Sequence, residues 1–405
     1  MKKIIAFFEA FALMLAAAGC SADLTATDEV EGFFGGITAE GGDHEIYDAP
    51  SGSAEGGEDA DCINNENGEI TPIEPRAGLL TGGEWKDNDH WSDWNALYQS
   101  RGDWSEFKES WRIDWDERVC VKVTANGKPA ANAKVYCDGA VSAAVTDNNG
   151  TAYLFFGFAN SADRQITVEY NGETKTIAQT PENKDITCEF DSEAFSEKSL
   201  DLMIVCDTTG SMSDELEYLK TELSDIILRI KNENANLPTR ISVNFYRDEG
   251  DEYVVRPFDF TTDINTVVSQ ISTQKADGGG DYPEAVHSAL INAVNEHNWN
   301  DDSVKIMFLV LDAPPHSDAQ IIAGVNKSIA DAAEKGIRII PIASSGIDKS
   351  TEYLLRTMAI QTGGTYTFLT NDSGIGGDHI EPTVGAYNVE RLGDMMVRIV
   401  GEYLK

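Results

Sequence analysis

Basic side chains are scarce in this sequence. Its 405 residues include 31 Lys and Arg against 69 Asp and Glu, which gives a formal net charge of -38 at pH 7. Nucleic-acid binding requires the neutralisation of phosphate charges, so this balance excludes nucleic acid as a partner. After the N-terminus the sequence also lacks any run of about 20 apolar residues, the length that a membrane-spanning helix needs. Any attachment to a membrane therefore has to be made in another way.

Histidine is also rare, which limits the catalytic and metal chemistry to be expected. None of the six His residues belongs to a His-x-x-x-His pair, and no Gly-x-Ser-x-Gly motif surrounds a serine. An enzyme would need Ser211 as a nucleophile with His287 or His316 as its base, and no motif supports that arrangement. We therefore do not expect this protein to be an enzyme.

The six cysteines have different predicted roles. Four of them lie where an oxidising compartment could pair them, and all three pairings stay open. These are Cys62, Cys120, Cys137 and Cys188. Cys206 lies at the end of an apolar run that begins at Leu202, which predicts a buried thiol in a strand.

The first twenty residues have the three-part layout of a secretory signal. Two lysines precede an apolar run over residues 4–18, and Gly19 and Cys20 follow. Residues 17–20 resemble a bacterial lipobox, at which the signal is cleaved and the cysteine is modified by lipid; an ordinary secretory signal is the alternative. The resemblance implies an exported lipoprotein, held at the cell envelope or surface by a lipid on Cys20.

Two segments follow the signal. Residues 21–76 are rich in Gly, Ala, Asp and Glu, with few clustered apolar residues, which predicts a disordered acidic linker. Residues 77–117 contain six of the seven tryptophans. Aromatic residues at such irregular spacing predict packing onto a neighbouring domain, and a face that binds carbohydrate or protein is the alternative.

Residues 118–192 contain short alternating runs separated by turn signals such as Asn149–Gly150. This pattern predicts a small β-sandwich of about seven strands. The stretches 127–135 and 145–152 resemble carboxypeptidase regulatory-like and bacterial Ig-like modules. In those families the module is a spacer or a binding platform, so the resemblance implies the same here.

Residues 198–405 alternate between apolar strands and amphipathic helices. This alternation predicts an α/β domain with a doubly wound, mostly parallel sheet. The predicted strands are 200–205, 241–246, 304–311 and 337–342, and the predicted helices are 214–231, 284–295, 319–334 and 389–404.

Oxygen-bearing side chains follow three of these strands in sequence order. Ligand sites of doubly wound sheets lie beyond the carboxyl ends of the strands, so these loops should meet. Carboxylates and hydroxyls without imidazole or thiolate suit a hard cation, which favours Mg²⁺, with Mn²⁺ or Ca²⁺ as alternatives. The residues are Asp207, Thr209 and Ser211 in the first loop, Asp281 and Glu284 in the second, and Asp312 in the third.

The first loop resembles the DxSxS signature of the metal-ion-dependent adhesion site in von Willebrand factor A and integrin I domains, with Thr209 at the middle position. The Asp-x-Pro-Glu form of the second loop resembles integrin β-subunit and hemicentin-like A domains. These resemblances imply that Glu284 reaches the same metal and that Asp281 serves this metal or a neighbouring ion. Asp312 matches the last metal-proximal Asp of the family, which implies that it acts through water or by supporting the residues that bind the metal.

The resemblance further implies a binding or adhesion protein at the cell envelope. The metal would leave one coordination position open for a carboxylate of a protein partner, and chelation would abolish recognition. The alternative is an envelope scaffold or assembly protein in which the metal is only structural. Binding of the partner that survives EDTA would favour the scaffold.

Overall fold

A computed structural model describes residues 62–64, 70–72, 77–157, 163–194 and 199–405. The predicted signal, Cys20 and most of the predicted linker lie outside these residues. Within the linker segment, two short strands pair in antiparallel fashion, β1 (Cys62–Asn64) and β2 (Ile70–Pro72). In the described part of the chain, no helix is long and apolar enough to cross a membrane.

An eight-stranded sheet forms the centre of the C-terminal domain, in the order β14-β13-β12-β15-β16-β17-β3-β18. Its five central strands are parallel, whereas β14, β3 and β18 run antiparallel to their neighbours. This arrangement confirms the predicted α/β class. The bounds are β3 (Thr81–Trp85), β12 (Leu200–Asp207), β13 (Thr239–Tyr246), β14 (Val255–Arg256), β15 (Val304–Leu311), β16 (Ile337–Ala343), β17 (Tyr366–Leu369) and β18 (Glu390–Arg391).

Helices cover both faces of this sheet, so its central strands are buried on both sides. One hydrophobic core joins the sheet to α3 (Ser213–Glu233), α4 (Ile264–Ser272) and α8 (Leu392–Tyr403). The other core joins it to α5 (Val286–Ile291), α6 (Ala319–Lys335) and α7 (Lys349–Thr362). A π-helical turn over Asn292–Glu296 extends α5.

The Trp-rich segment is part of this domain. Its strand β3 pairs with β17, and its helices α1 (Trp91–Ser100) and α2 (Gly102–Ser110) place Trp94 and Trp104 against Tyr353 of α7. Both tryptophans are fully buried. The tryptophans pack against the α/β domain, and the strand that the segment adds to its sheet was not predicted.

A buried ion pair also connects the Trp-rich segment to α7. Arg356 donates hydrogen bonds to both carboxylate oxygens of Asp87, at 3.0 and 2.5 Å, and both side chains are 1% exposed. The Asn88 amide donates to the carbonyl oxygen of Ile360 at 2.9 Å. These polar contacts fix the position of α1 relative to the sheet.

Two four-stranded sheets precede the large sheet and enclose one core. One has the order β10-β9-β6-β7; in the other, β4 pairs with β11, β5 and β8. The β4–β11 pair is parallel. The resemblance of this region to carboxypeptidase regulatory-like and bacterial Ig-like modules stays a prediction. The bounds are β4 (Glu117–Ala125), β5 (Lys128–Pro129), β6 (Lys134–Tyr136), β7 (Ala144–Val145), β8 (Thr151–Phe156), β9 (Arg164–Tyr170), β10 (Glu173–Gln179) and β11 (Asp185–Phe190).

These small sheets contact the α/β domain near the amino ends of its parallel strands. Arg338, at the start of β16, donates to the carbonyl oxygen of Val145 at 2.7 Å. The Asn148 amide donates to the carbonyl oxygen of Tyr403 at 2.8 Å. The carboxyl ends of the strands, where a ligand site is expected, therefore face away from this contact.

The described cysteines carry free thiols. Cys120, Cys188 and Cys206 are buried, and Cys137 is half-buried. Cys206 lies on β12 as predicted. No disulfide joins Cys120, Cys137 and Cys188 to one another, and the side chain of Cys62 lies outside the described residues.

Candidate metal site

The first loop begins where β12 ends. All eight residues of β12 are buried. Asp207 is the last of them and lies at the carboxyl end of the strand with no exposed surface. Its Oδ1 accepts hydrogen bonds from the backbone N–H of Thr209 at 2.8 Å and from the Thr209 hydroxyl at 2.7 Å. The Thr209 Oγ1 lies 3.1 Å from the Ser211 Oγ. The three residues of the predicted motif therefore form one connected group.

The second loop approaches the first through glycine backbone. The N–H of Gly210 donates to the carbonyl oxygen of Gly278 at 3.1 Å. Gly279 has a φ of +72°, and a Cβ there would lie 2.8 Å from Glu284 Oε1 and 3.4 Å from the Cβ of Thr209. A side chain at Gly279 would therefore displace the Glu284 carboxylate or strain the backbone.

The third loop is attached to the second by a short parallel bridge. The N–H of Glu284 donates to the carbonyl oxygen of Pro314 at 2.9 Å, and Glu284 pairs with Pro315. Asp312 directly follows β15 and lies beside the first loop: burial and the charge of Asp207 raise the pKa of its carboxyl, and a hydrogen bond from Ser211 opposes that rise. The fold thus brings five of the six predicted residues together.

Three carboxylates of this group are buried with unused hydrogen-bonding capacity. Asp207, Glu284 and Asp312 are 0%, 3% and 4% exposed. Asp207 Oδ2, Glu284 Oε2 and Asp312 Oδ1 are inaccessible to solvent and have no hydrogen-bond partner at normal distance, although the Tyr246 hydroxyl lies close enough to Asp207 to oppose the rise in its pKa. Because an unpaired buried charge is strongly unfavourable, a cation or protons must compensate these groups.

The same burial shifts the pKa values of the three carboxyls upward. Burial raises the pKa of Asp207 to about 6, against the opposing hydrogen bonds from Thr209. Burial and then the charge of Asp207 raise the pKa of Asp312 to about 7. The same two causes, followed by the charge of Asp248, raise the pKa of Glu284 to about 9. Because the charge of Asp207 raises the pKa of the other two carboxyls, the three groups lie close enough to repel one another when ionised.

Asp248 and Asp251, on the loop after β13, also belong to the surroundings of the site. Asp251 Oδ2 accepts from the N–H of Asp248 at 3.0 Å and from that of Gly279 at 2.9 Å. His316 Nε2 lies 2.8 Å from Asp248 Oδ1. The acidic run after β13 was visible in the sequence, but nothing in the pattern indicated that Asp251 would hold the glycine loop.

Asp281 differs from the other predicted residues because it is exposed on the loop that leads to Glu284. It lies outside the buried group, and a role in holding an ion stays a prediction. Within the described ranges, no three His, Cys, Asp or Glu side chains form a ready-made metal cluster. The donor set here combines carboxylates with the Thr209 and Ser211 hydroxyls, which is the chemistry that hard cations prefer.

Residues 201–381 match the family model of the von Willebrand factor A domain. The chain therefore carries a von Willebrand factor A domain, and its candidate metal site lies within the matched residues. A domain of this kind indicates a protein-interaction or adhesion type of function.

Two curated proteins share part of this sequence. An ariadne-like RING finger protein of Acanthamoeba polyphaga mimivirus is 33% identical over 117 residues, which are 29% of this chain and 11% of that protein. The alpha-protein kinase vwkA of Dictyostelium discoideum is 26% identical over 135 residues, 33% of this chain and 21% of the kinase. The matches thus cover a small part of each relative's length.

Among solved structures, the conserved hypothetical protein BatB from Bacteroides thetaiotaomicron is similar over 51% of this chain and 98% of its own. The sequence identity is 13% and the TM-score is 0.36.

Proposed function

We propose that this protein binds a divalent cation in its von Willebrand factor A domain and recognises a protein partner through that ion. Asp207, Thr209, Ser211 and Glu284 would hold the ion, with Asp312 acting through water. When bound, the cation supplies positive charge and an open coordination position for a carboxylate of the partner.

The observation that carries this proposal is the set of three buried carboxylates, each with an oxygen that lacks a hydrogen-bond partner. A carboxylate with a purely structural role would normally have these oxygens hydrogen-bonded. A buried polar atom without a hydrogen-bond partner costs about 1–3 kcal/mol, and a charged one costs more. Two hydroxyls, Thr209 and Ser211, lie directly beside them. Mg²⁺ fits this oxygen-only set best, and Mn²⁺ or Ca²⁺ are alternatives.

We propose a binding role rather than catalysis. Ser211 faces the Thr209 hydroxyl at 3.1 Å. His316 lies against Asp248, and His287 lies near Glu249 and Ser288. The serine and the two histidines that an enzyme would combine are therefore engaged with different neighbours.

The proposed location is the cell envelope, with a lipid on Cys20 as the membrane anchor. This part of the proposal rests on the signal and lipobox resemblance of residues 1–20. Metabolic labelling with a lipid precursor tests it: wild type should incorporate the label, and Cys20→Ser should not. Label in both proteins would show that the lipid is attached elsewhere.

Calorimetric titration of the full chain with Mg²⁺, Mn²⁺ and Ca²⁺ tests the metal site. Wild type should show saturable binding that is lost in Asp207→Ala and in Glu284→Ala, with Asp185→Ala on β11 as an exposed control. Absence of binding by folded wild type would overturn the proposal. If a partner is found, binding that survives EDTA would favour the scaffold alternative, in which the metal only fixes the loops.

A further inference from the structure

The outer edge of the large sheet carries a cleft that is lined by residues outside the candidate metal site. After β14 the chain continues beside β13, and Thr261 bridges to Ile241 near the amino end of that strand. The candidate metal site lies at the opposite, carboxyl ends of the strands. The cleft has a volume of about 680 Å³, and pockets that hold small molecules measure about 300–1,000 Å³. Its size therefore suits a small-molecule ligand.

Side chains of β13 hold the segment 257–261 that lines this cleft. The N–H of Phe258 donates to Asn244 Oδ1 at 3.0 Å, and the Ser242 hydroxyl donates to the carbonyl oxygen of Phe258 at 2.7 Å. Phe258 packs against the core on one face of the sheet, and Phe260 packs against the core on the other face. The segment therefore crosses the sheet edge, and both of its rings remain half-buried.

The π-helical turn after α5 contributes a fixed polar network to the cleft. Asn292 and Glu296 are the first and last residues of this turn, and the Asn292 amide donates to Glu296 Oε2 at 2.6 Å. The Asn244 amide donates to Asn292 Oδ1 at 3.1 Å and lies 2.9 Å from His297 Nε2. Asn292 Oδ1 lies 3.2 Å from the same ring nitrogen. Turns of this rare kind occur frequently at functional sites.

Two residues that line the cleft have unused hydrogen-bonding atoms. His297 Nδ1 and Gln270 Oε1 are inaccessible to solvent and have no hydrogen-bond partner. Burial lowers the pKa of His297, so its ring is neutral at pH 7 and has one donor and one acceptor nitrogen. Gln270 is half-buried, and rotation of its side chain would turn the oxygen into the cleft. Because a buried polar atom without a partner is unfavourable, a ligand hydroxyl that satisfies it would bind favourably.

The charges at the cleft exclude an anionic ligand. Asp259 and Glu296 are exposed, and the described residues that line the cleft include no Lys or Arg. Arg240 lies over the ring of Phe260, but its guanidinium is paired with a buried aspartate of β12. Arg256, which precedes the segment, contacts a glutamate and a glutamine outside the cleft. An anion would therefore be repelled by two carboxylates.

We propose that this cleft binds a neutral saccharide. The sugar hydroxyls would donate to Glu296, Asp259 and Gln270. The apolar face of a sugar ring would pack against Phe258 and Phe260. A saccharide combines hydroxyl donors with C–H surface, which matches carboxylate and amide acceptors beside aromatic rings. This binding is a second activity, separate in space from the proposed cation site.

A glycan array tests the proposal with the labelled full chain in EDTA. The array carries neutral mono- to trisaccharides of glucose, galactose, mannose and N-acetylglucosamine, with oligomers of glucuronate as anionic counterparts. The chain should bind at least one neutral glycan in preference to the anionic ones. Calorimetry with that glycan then gives its Kd, which should be the same in EDTA and in Mg²⁺ because the two sites lie at opposite ends of the strands.

Matched variants locate the binding in the cleft. Gln270→Leu should weaken the glycan about three- to tenfold, the loss expected for one hydrogen bond, and Glu296→Ala should weaken it more because its acceptor is charged. Gln99→Leu on α1 and Glu106→Ala on α2 make the same changes at exposed positions and should leave the Kd unchanged. Equal melting temperatures of the variants and wild type would show that the loss is not caused by unfolding.

Several results would overturn the proposal. Absence of binding to every neutral glycan would do so, and so would a Kd that Gln270→Leu and Glu296→Ala both leave unchanged. Glycan binding that requires Mg²⁺ would assign it to the metal site instead. Calorimetric binding of putrescine that Glu296→Ala abolishes, without binding of any glycan, would make the cleft a site for an organic cation. Failure of the chain to bind Mg²⁺ would remove the proposed cation function and leave the saccharide proposal standing.

Discussion

Replacing Asp207 by Asn should stabilise the metal-free protein. The folded protein holds the Asp207 proton more tightly than the unfolded chain does, because the pKa of Asp207 rises from 3.8 to about 6 in the fold. Stability therefore falls as pH rises between about 4 and 6 and stays low above that range. The loss is about 3 kcal/mol when the group is ionised in both states. Asn removes the charge and keeps an oxygen for the two Thr209 hydrogen bonds.

Urea unfolding followed by tryptophan fluorescence measures this effect. In EDTA at pH 8, Asp207→Asn should unfold at higher urea than wild type, with a smaller difference at pH 5. Addition of Mg²⁺ should stabilise wild type and leave the variant unchanged, because bound cation stabilises the folded state by mass action. Asp185→Asn, an exposed aspartate on β11, serves as control. A variant less stable than wild type in EDTA at pH 8 would refute the argument that burial disfavours the ionised form of this carboxyl group.

Three further predictions concern single positions. Asp87→Ala should lower the free energy of unfolding by about 3–5 kcal/mol in urea titrations, because it leaves the buried Arg356 guanidinium unpaired; a loss below about 1 kcal/mol would show that this pair is dispensable. Gly279→Ala should reduce Mg²⁺ affinity in calorimetry, because its Cβ would approach Glu284 Oε1 at a φ of +72°, whereas Gly280→Ala, with no atom within 4 Å of its Cβ, should bind normally; equal affinities would contradict the close approach. In thiol titration of the folded protein, half-buried Cys137 should react before Cys120, Cys188 and Cys206; early reaction of Cys206 would contradict the buried placement of β12.

Local periodicity predicted four helices with one buried and one exposed face and four strands buried on both sides, but it missed the amphipathic helix α4 and the buried strand β17. The helices predicted at 214–231 and 319–334 correspond to α3 and α6 within a few residues. Helix α7 was not predicted because every residue from Thr351 to Thr362 is buried. A helix without a polar face has no alternation of polar and apolar residues for a sequence pattern to detect.

The sequence also predicted some residues of the candidate site and missed others. The position of Asp207 and Asp312 at the ends of apolar strands was enough to select them, whereas Glu284 was selected by the resemblance of its loop to integrin β-subunit and hemicentin-like A domains. The expectation that this second loop also follows a strand was wrong, because helix α4 precedes it. The contact of Asp251 with Gly279 depends on loop conformations that no local pattern specifies. The exposure of Asp281 is also a consequence of the folded loop.

The sequence alone determined the class of the C-terminal domain and the residue types of its site, because strand burial and side-chain chemistry are local properties. Only the tertiary structure decided that the Trp-rich segment adds β3 to the sheet, since this strand pairs with residues far along the chain. It also decided that three carboxylates are buried together with unpaired oxygens, because burial and proximity arise from packing between distant segments.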